Sequence, residues 1–553
     1  MTHLRKFRLV GMLLALCLLA APFALGQATD WKQIPRPPLP PFKPQQPVRV
    51  ELPNGMVIFL QEDHELPLIE GTATISGGSR EEPAAKTGLV SIYGDVWRTG
   101  GTKSRTGDQL DDFLEARGAR VESGDGVDST SLSFSCLKGD LDDVLAVFVE
   151  LLQQPEVRED KLTLAKTQEN TAIARRNDNV QGIAGREASK LGYGADNPYA
   201  RHTEYATVAA VTRDDLLNWH KEYVHPNNII LGIVGDFDAK AMEARLRKSF
   251  GAWPKGPQAK PAAVEYKPGQ PGVYFIAKDD VNQSEIRMVH LGIRRDNPDY
   301  FAVEVMNEVF GTSGLARLFS NIRSRKGLAY RVFGSVGSAF DHPGLFAVNM
   351  STKSNTTVEA IHALYEEIDN FLGLKPATEE ELKRAKDGIL NSFVFNFDSS
   401  EKVLRERMQL EFHGYPADFL ERYQAAIDKV TVDDVNRVAK KYIQKDKLAV
   451  LVVGKAVDFD KPLASLGAVT ALDITIQEGG PEALAAAGSN AEGKALAAKV
   501  VAAIGGAEKL SAVKAIRSKA TAIRKTPQGD VPFQGEVARA EDEGHPAAPD
   551  EVQ

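Results

Sequence analysis

"VTRDDLLNWHKEYVHPNNIILGIVG", Val211 to Gly235, and "VTVDDVNRVAKKYIQKDKLAVLVVG", Val430 to Gly454, stand 219 residues apart and align without a gap. Eight of their 25 positions are identical, among them Thr212/Thr431, Asp215/Asp434, Tyr223/Tyr442 and Gly235/Gly454. Each copy reads the same way physically. A threonine caps a helix whose first turn carries acids, an amphipathic helix follows, and a β-rich apolar run ends at glycine. Two such units at a fixed offset predict a duplicated fold.

Working outward, the starts of the halves agree as well. "LIEGTATISGGSREEPAAKTGLVSIYGDVWRTGG" and "EIRMVHLGIRRDNPDYFAVEVMNEVFGTSG" both run strand, polar turn, helix, glycine turn. Between the halves, "GAWPKGPQAKPAAVEYKPGQPG" is rich in proline and glycine and poor in apolar residues, the composition of a linker. Asn54-Gly55, between two alternating apolar runs, signals a hairpin.

The segmentation follows. Residues 1–26 carry Arg5, Lys6 and Arg8, then an apolar stretch and small residues at Ala24 and Gly26, the anatomy of a signal peptide. The apolar core is short of the roughly 20 residues of a membrane span, and Leu16 before Cys17 argues against a lipid anchor. Residues 27–47 form a proline-rich tether, 48–250 an N-terminal α+β half, 251–272 the linker, 273–465 the second half, and 466–553 an alanine-rich tail with helical spacing and a polar end expected to be partly disordered. The fold class expected is α+β, two homologous α/β-sandwich halves.

Cleavage after residue 26 removes three cations and moves the formal net charge from −8 to −11, a poor surface for nucleic acid. Export leaves Cys136 as the sole cysteine, read as a buried strand residue, so the fold stands on its apolar cores without a disulfide.

Metal hydrolysis needs imidazoles and a carboxylate converging on the ion. The ten histidines never make the four-residue spacing that one helix face requires. His220 and His225 are five apart and read as surface residues near a helix end.

Over roughly 48–465 the chain resembles the insulinase/pitrilysin family of zinc metallopeptidases, in particular its bacterial and mitochondrial-processing-type branch. The likeness rests on the hairpin, the two glycine-turn helices, the duplicated helix-strand ends and "GTSGLARLFSNIRSRKGLAYRVFGS", residues 311–335. Active members carry an inverted H-x-x-E-H motif followed by Gly-Thr. Aligned on Gly88 and Gly101-Thr102, the motif's histidines fall at Ser91 and Asp95 and its glutamate at Gly94. The third ligand, about 77 residues further along, falls at Ala172; Glu169 is one helical turn away.

The resemblance also implies that Arg323 and Tyr330 are a substrate-facing pair, fixed donors for a developing oxyanion. It therefore implies an exported, periplasmic or secreted, non-catalytic subunit. Such a chain binds no metal itself and closes half of a clamshell chamber. It lends Arg323 and Tyr330 to a homologous zinc-bearing partner that cleaves peptides. The alternative is a peptide-binding or structural subunit without a protease partner.

Overall fold

The computed structural model describes residues 45–261, 263–477, 491–506, 509, 515–526 and 529–540. The expected signal peptide, nearly all of the tether and the last residues of the tail lie outside them. Among the described residues no helix is long and apolar enough to cross a membrane.

The first half is a six-stranded sheet of β1 (Val48–Glu51), β2 (Val57–Glu62), β3 (Leu68–Ser76), β4 (Arg120–Asp125), β5 (Ser129–Leu137) and β6 (Ile229–Gly235), in the order β1-β2-β6-β3-β5-β4. Its helices are α1 (Leu89–Thr99), α2 (Gly107–Glu115), α3 (Leu141–Gln153), α4 (Glu159–Arg175), α5 (Val180–Tyr193), α6 (Tyr205–Ala210), α7 (Arg213–Tyr223) and α8 (Ala239–Phe250).

The second half repeats the plan with β7 (Gly272–Ala277), β8 (Gln283–Leu291), β9 (Ile293–Arg294), β10 (Arg331–Ala339), β11 (Pro343–Lys353), β12 (Ala449–Gly454) and β13 (Val469–Ala471), in the order β13-β7-β12-β8-β11-β10-β9. The helices are α9 (Tyr300–Asn307), α10 (Thr357–Asp369), α11 (Glu379–Phe393), α12 (Ser400–Phe412), α13 (Phe419–Lys429) and α14 (Val432–Tyr442). The pairings of the inner strands match, while the outer ones differ, β1 joining β2 antiparallel and β13 joining β7 parallel. β2 with β6 and β7 with β12 are parallel, while β6 with β3 and β12 with β8 are antiparallel.

The duplicated segments form as their residues dictate. Thr212 accepts from Asp215 N while the Asp215 carboxylate accepts from Thr212 N at 2.8 Å; Thr431 and Asp434 do the same at 3.2 and 3.1 Å. These reciprocal caps satisfy donors that α7 and α14 would otherwise leave open. β12 is buried throughout and β6 almost throughout, with only Gly235 half-buried, because both faces of each are covered, which explains their unbroken apolar runs.

What covers the second faces is an exchange. α5 of the first half lays Ile183, Ala184, Ala188 and Leu191 on Ile276, Val289, Leu451 and Val453 of the second sheet. α12 of the second half lays Leu404 and Met408 on Phe59, Ile230 and Val234 of the first. The two halves thus clasp one another through one helix each.

Asn54-Gly55 does turn a hairpin, with β1 and β2 antiparallel and Gly55 at φ 86°. Asn54 is buried and donates to the carbonyls of Phe250 and Trp253. The linker is held to the first half: Asn227 and Asn228 donate to Gly256 O and Pro257 O, and Asn197 to Glu265 O. Cys136 is buried in β5, where burial pushes its thiol up to about 11.

Past residue 465 the chain still belongs to the fold. β13 adds to the second sheet, and Ile474 O accepts from Asn177 of the first half. In the tail, helix α15 (Ala491–Ala503) precedes an antiparallel ribbon of β14 (Ala515–Thr526) and β15 (Gly529–Ala540). The ribbon replaces the helical continuation that the alanine content suggested.

Candidate functional site

α1 is set between two glycines in the left-handed region, Gly88 at φ 101° and Gly101 at φ 76°. Gly88 has no side chain to cap the helix, so the buried Glu82 does it, accepting from Gly88 N at 3.0 Å and Val90 N at 3.1 Å. One face of α1 buries Tyr93, Val96 and Trp97 in the first core. Ser91, Gly94 and Asp95 lie on its flank beside β4.

Ser91 donates to Glu169 of α4 at 2.7 Å. Ala172 is exposed one turn further along α4. Gly94 is buried against β4. Its carbonyl accepts from Ser123 Oγ at 2.6 Å, and a Cβ there would lie 3.1 Å from the Cβ and Oδ1 of Asp125. Asp125 thus fills the space that a longer side chain at 94 would need. Burial, with Asp125 and Glu169 nearby, raises the Asp95 carboxyl above its usual range, and burial raises Asp125 also.

These donors do not fit a zinc ion. They are a hydroxyl and three carboxylates, with no imidazole. Among the described residues the side chains that approach closely enough to share an ion are Asp128, Asp341 and His342, which lie elsewhere. That place is filled by the Arg80 guanidinium, in contact with Asp341 and 3.0 Å from Asp128.

His220 is not a surface residue. Its Nδ1 pairs with Tyr93 Oη at 2.8 Å and its Nε2 with Leu152 O at 3.1 Å, with the ring edge-on to Trp97. Burial pushes it down to about 4, so it is neutral and structural. The helix turns it inward under α1, which the spacing from His225 did not reveal.

The second half presents a different surface. After the π-helical turn Glu308–Thr312, a second π-helical turn, Phe319–Arg325, carries Arg323. The chain then reverses at Gly327, φ 65°, and reaches Tyr330 just before β10. Arg323 lies over the rings of both Phe319 and Tyr330, at 4.6 and 5.3 Å. Tyr330 is 81% exposed, so it is not strand packing. Of the cations around them, Arg317 is tied to Glu381 and Lys326 to Glu366. The outer edge of the strand that follows is covered: β9 pairs with Ser338 and Ala339 of β10, and the Asn307 side chain donates to Val336 O and accepts from Val336 N.

A cavity of about 510 Å³ lies on the opposite face of the first sheet from α1, where Thr72, Thr74 and Ser131 face Arg405 and Gln409 of α12. The sequence also held an unread repeat. Glu159, Leu162, Ala165 and Lys166 of α4 recur 220 residues later as Glu379, Leu382, Ala385 and Lys386 of α11. Both leucines and both alanines are buried.

Comparison with known proteins agrees with this fold. The family model described as insulinase (peptidase family M16) matches residues 61–202, and that described as peptidase M16 inactive domain matches 210–389, together more than half of the chain. An uncharacterized zinc protease of Mycobacterium leprae is 23% identical over 410 residues, covering 72% of this chain and 89% of the relative. The uncharacterized zinc protease YmxG of Bacillus subtilis is 21% identical over 400 residues, covering 72% and 96%. Among solved structures, a peptidase M16 inactive domain from Pseudomonas fluorescens superposes with a TM-score of 0.68 at 23% identity, covering 76% of this chain and all of that one. A protease from Helicobacter pylori gives 0.65 at 19%, covering 75% and all of that chain.

Proposed function

The chain belongs to the insulinase family, peptidase family M16, and from that premise we propose that it is the metal-free subunit of an exported, two-chain peptidase. Its partner is a homologous chain with an intact metal motif, and zinc on that partner supplies the activated water. This chain supplies Arg323 and Tyr330. The observation that carries the reading is that Tyr330 stands 81% exposed with the Arg323 guanidinium beside its ring. Two donors held this way suit the carbonyl oxygen of a scissile peptide as negative charge develops on it.

The flank of α1 supports the same division of labour. With Ser91, Gly94, Asp95 and Ala172 at the motif positions and Asp125 pressed against Gly94, this flank offers no donor set for zinc.

The test is peptide cleavage by a zinc-bearing homologue alone, by this chain alone and by the two co-expressed. The mixture should be the fastest and this chain alone inert. Arg323→Ala with Tyr330→Phe should lower the turnover of the mixture about a hundredfold. A mixture no faster than the zinc chain, or a double variant of unchanged rate, would leave the chain as a peptide-binding or structural subunit.

A further inference from the structure

The second half has a counterpart to the α1 flank, and it is built for something else. The repeat that relates α4 to α11 puts Ile389 and Ser392 at the places of Glu169 and Ala172. Both line a cavity of about 530 Å³ bounded by α9, α11, α12 and α13. Where the first half gathers carboxylates, this cavity gathers rings. Phe393 stacks on Tyr423 with centroids 5.4 Å apart and planes 10° from parallel, and Tyr300 packs against both Tyr423 and Phe419. Phe393 and Tyr300 are buried in the wall, while Phe395 at the mouth is 64% exposed. Phe419 and Tyr423 are half-buried, so they and Phe395 are the part of the aromatic lining that solvent reaches.

One polar group sets the chemistry. Arg295 lines this cavity and also a neighbouring one of about 670 Å³. Its guanidinium lies 3.8 Å above the ring of Phe340, and its Nε is buried without a hydrogen-bond partner. Burial raises the carboxyls of Glu304 and Glu406, and Arg295 lowers both. The guanidinium N–H that lacks a partner calls for an acceptor.

We propose that this cavity binds a peptide segment through an aromatic side chain, whose ring packs on Phe395, Phe419 and Tyr423 while an adjoining backbone carbonyl accepts from Arg295. The site gives the chain a preference among peptides that is independent of Arg323 and Tyr330. It rests on the reading of the chain as a peptide binder, and not on the lending of donors to a partner.

The experiment uses the full chain alone and two fluorescein-labelled nonapeptides that differ only in phenylalanine or alanine at the centre, with affinities read by anisotropy. The phenylalanine peptide should bind about tenfold more tightly. Ser392→Trp places an indole from the exposed end of α11 into the mouth, and Arg295→Gln removes the fork. Ser392→Trp should bring the two affinities together at the melting temperature of the unaltered chain, and Arg295→Gln should weaken both peptides alike. Equal affinity for the two peptides, or discrimination that survives Ser392→Trp, overturns the proposal. No zinc chain is present, so a failed lending of donors and a failed aromatic site give separate results.

Discussion

Gly94 is the residue where the loss of the metal site becomes a matter of packing. A glycine inside a helix costs about 1 kcal/mol relative to alanine, yet here a Cβ would meet Asp125 at 3.1 Å. Gly94→Ala should therefore give little or no gain in stability, whereas in an Asp125→Gly background the same change should recover about 1 kcal/mol. A double-mutant cycle by urea unfolding reads the difference, and equal effects in the two backgrounds would show that Asp125 is not what keeps position 94 bare. His220, bonded to the hydroxyl of the neighbouring Tyr93, gives a pH dependence. Its folded value of about 4 lies below the ordinary 6.5. The unfolded chain then binds the extra proton between those values, and stability falls as pH drops through that window, by about 2 kcal/mol at pH 5. His220→Gln keeps a donor for Leu152 O and cannot titrate. Its unfolding midpoint should lose less than that of the unaltered chain between pH 7 and 5. The emptied motif positions were legible in the sequence because they are a matter of residue type. The inward turn of His220 was not, because it depends on which face of α7 meets α1.

At the scale of elements, the reciprocal caps of α7 and α14 and the runs of β6 and β12 were legible because each is a local pattern with one physical solution. The exchange of α5 and α12 was not. An apolar stripe such as Leu404 and Met408 says that a helix face will be buried and is silent about which sheet will bury it. The α4/α11 repeat is faint in the sequence, since its four identities are spread over two turns. The exchange makes a sharp demand at Gly232 of β6, where a Cβ would come within 2.1 Å of Met408 Sδ. α12 lies that close only because no side chain is there. Gly232→Val should cost about 1–3 kcal/mol through overpacking, and Met408→Ala in the same chain should return part of it. Additive losses in the double variant would mean that the helix does not rest on that strand.

For the whole molecule, the orientation of the halves is fixed at the swapped helices and again at Arg80. Its side chain is 6% exposed, and it donates to Glu81 at 2.7 Å and to Tyr199 Oη at 2.9 Å within its own half. It also faces Asp128 and reaches Asp341 on the β10–β11 turn of the other half. His342 follows Asp341 and stacks on Tyr199 at 3.7 Å. Against burial, which raises it, the hydrogen bonds from His342 and Arg80 hold the Asp341 carboxyl well below its usual range. Asp128 is raised by burial and by Asp341. The group most sensitive to removal is the shared cation. Arg80→Met would leave two carboxylates facing each other in a half-buried place, at a cost of about 3–5 kcal/mol at pH 7. The sign with pH follows. In the unaltered chain Asp341 contributes stability above its unfolded value near 3.9, lost as pH falls below it. Without Arg80 the facing carboxyls would titrate above that value, so the penalty should shrink between pH 7 and 5. Asp341→Asn added to Arg80→Met should shrink it at pH 7 as well. Urea midpoints of the three chains at both pH values decide it. A penalty that is the same at pH 7 and 5, and that Asp341→Asn leaves untouched, would mean that Arg80 fills space and does not join the halves by charge.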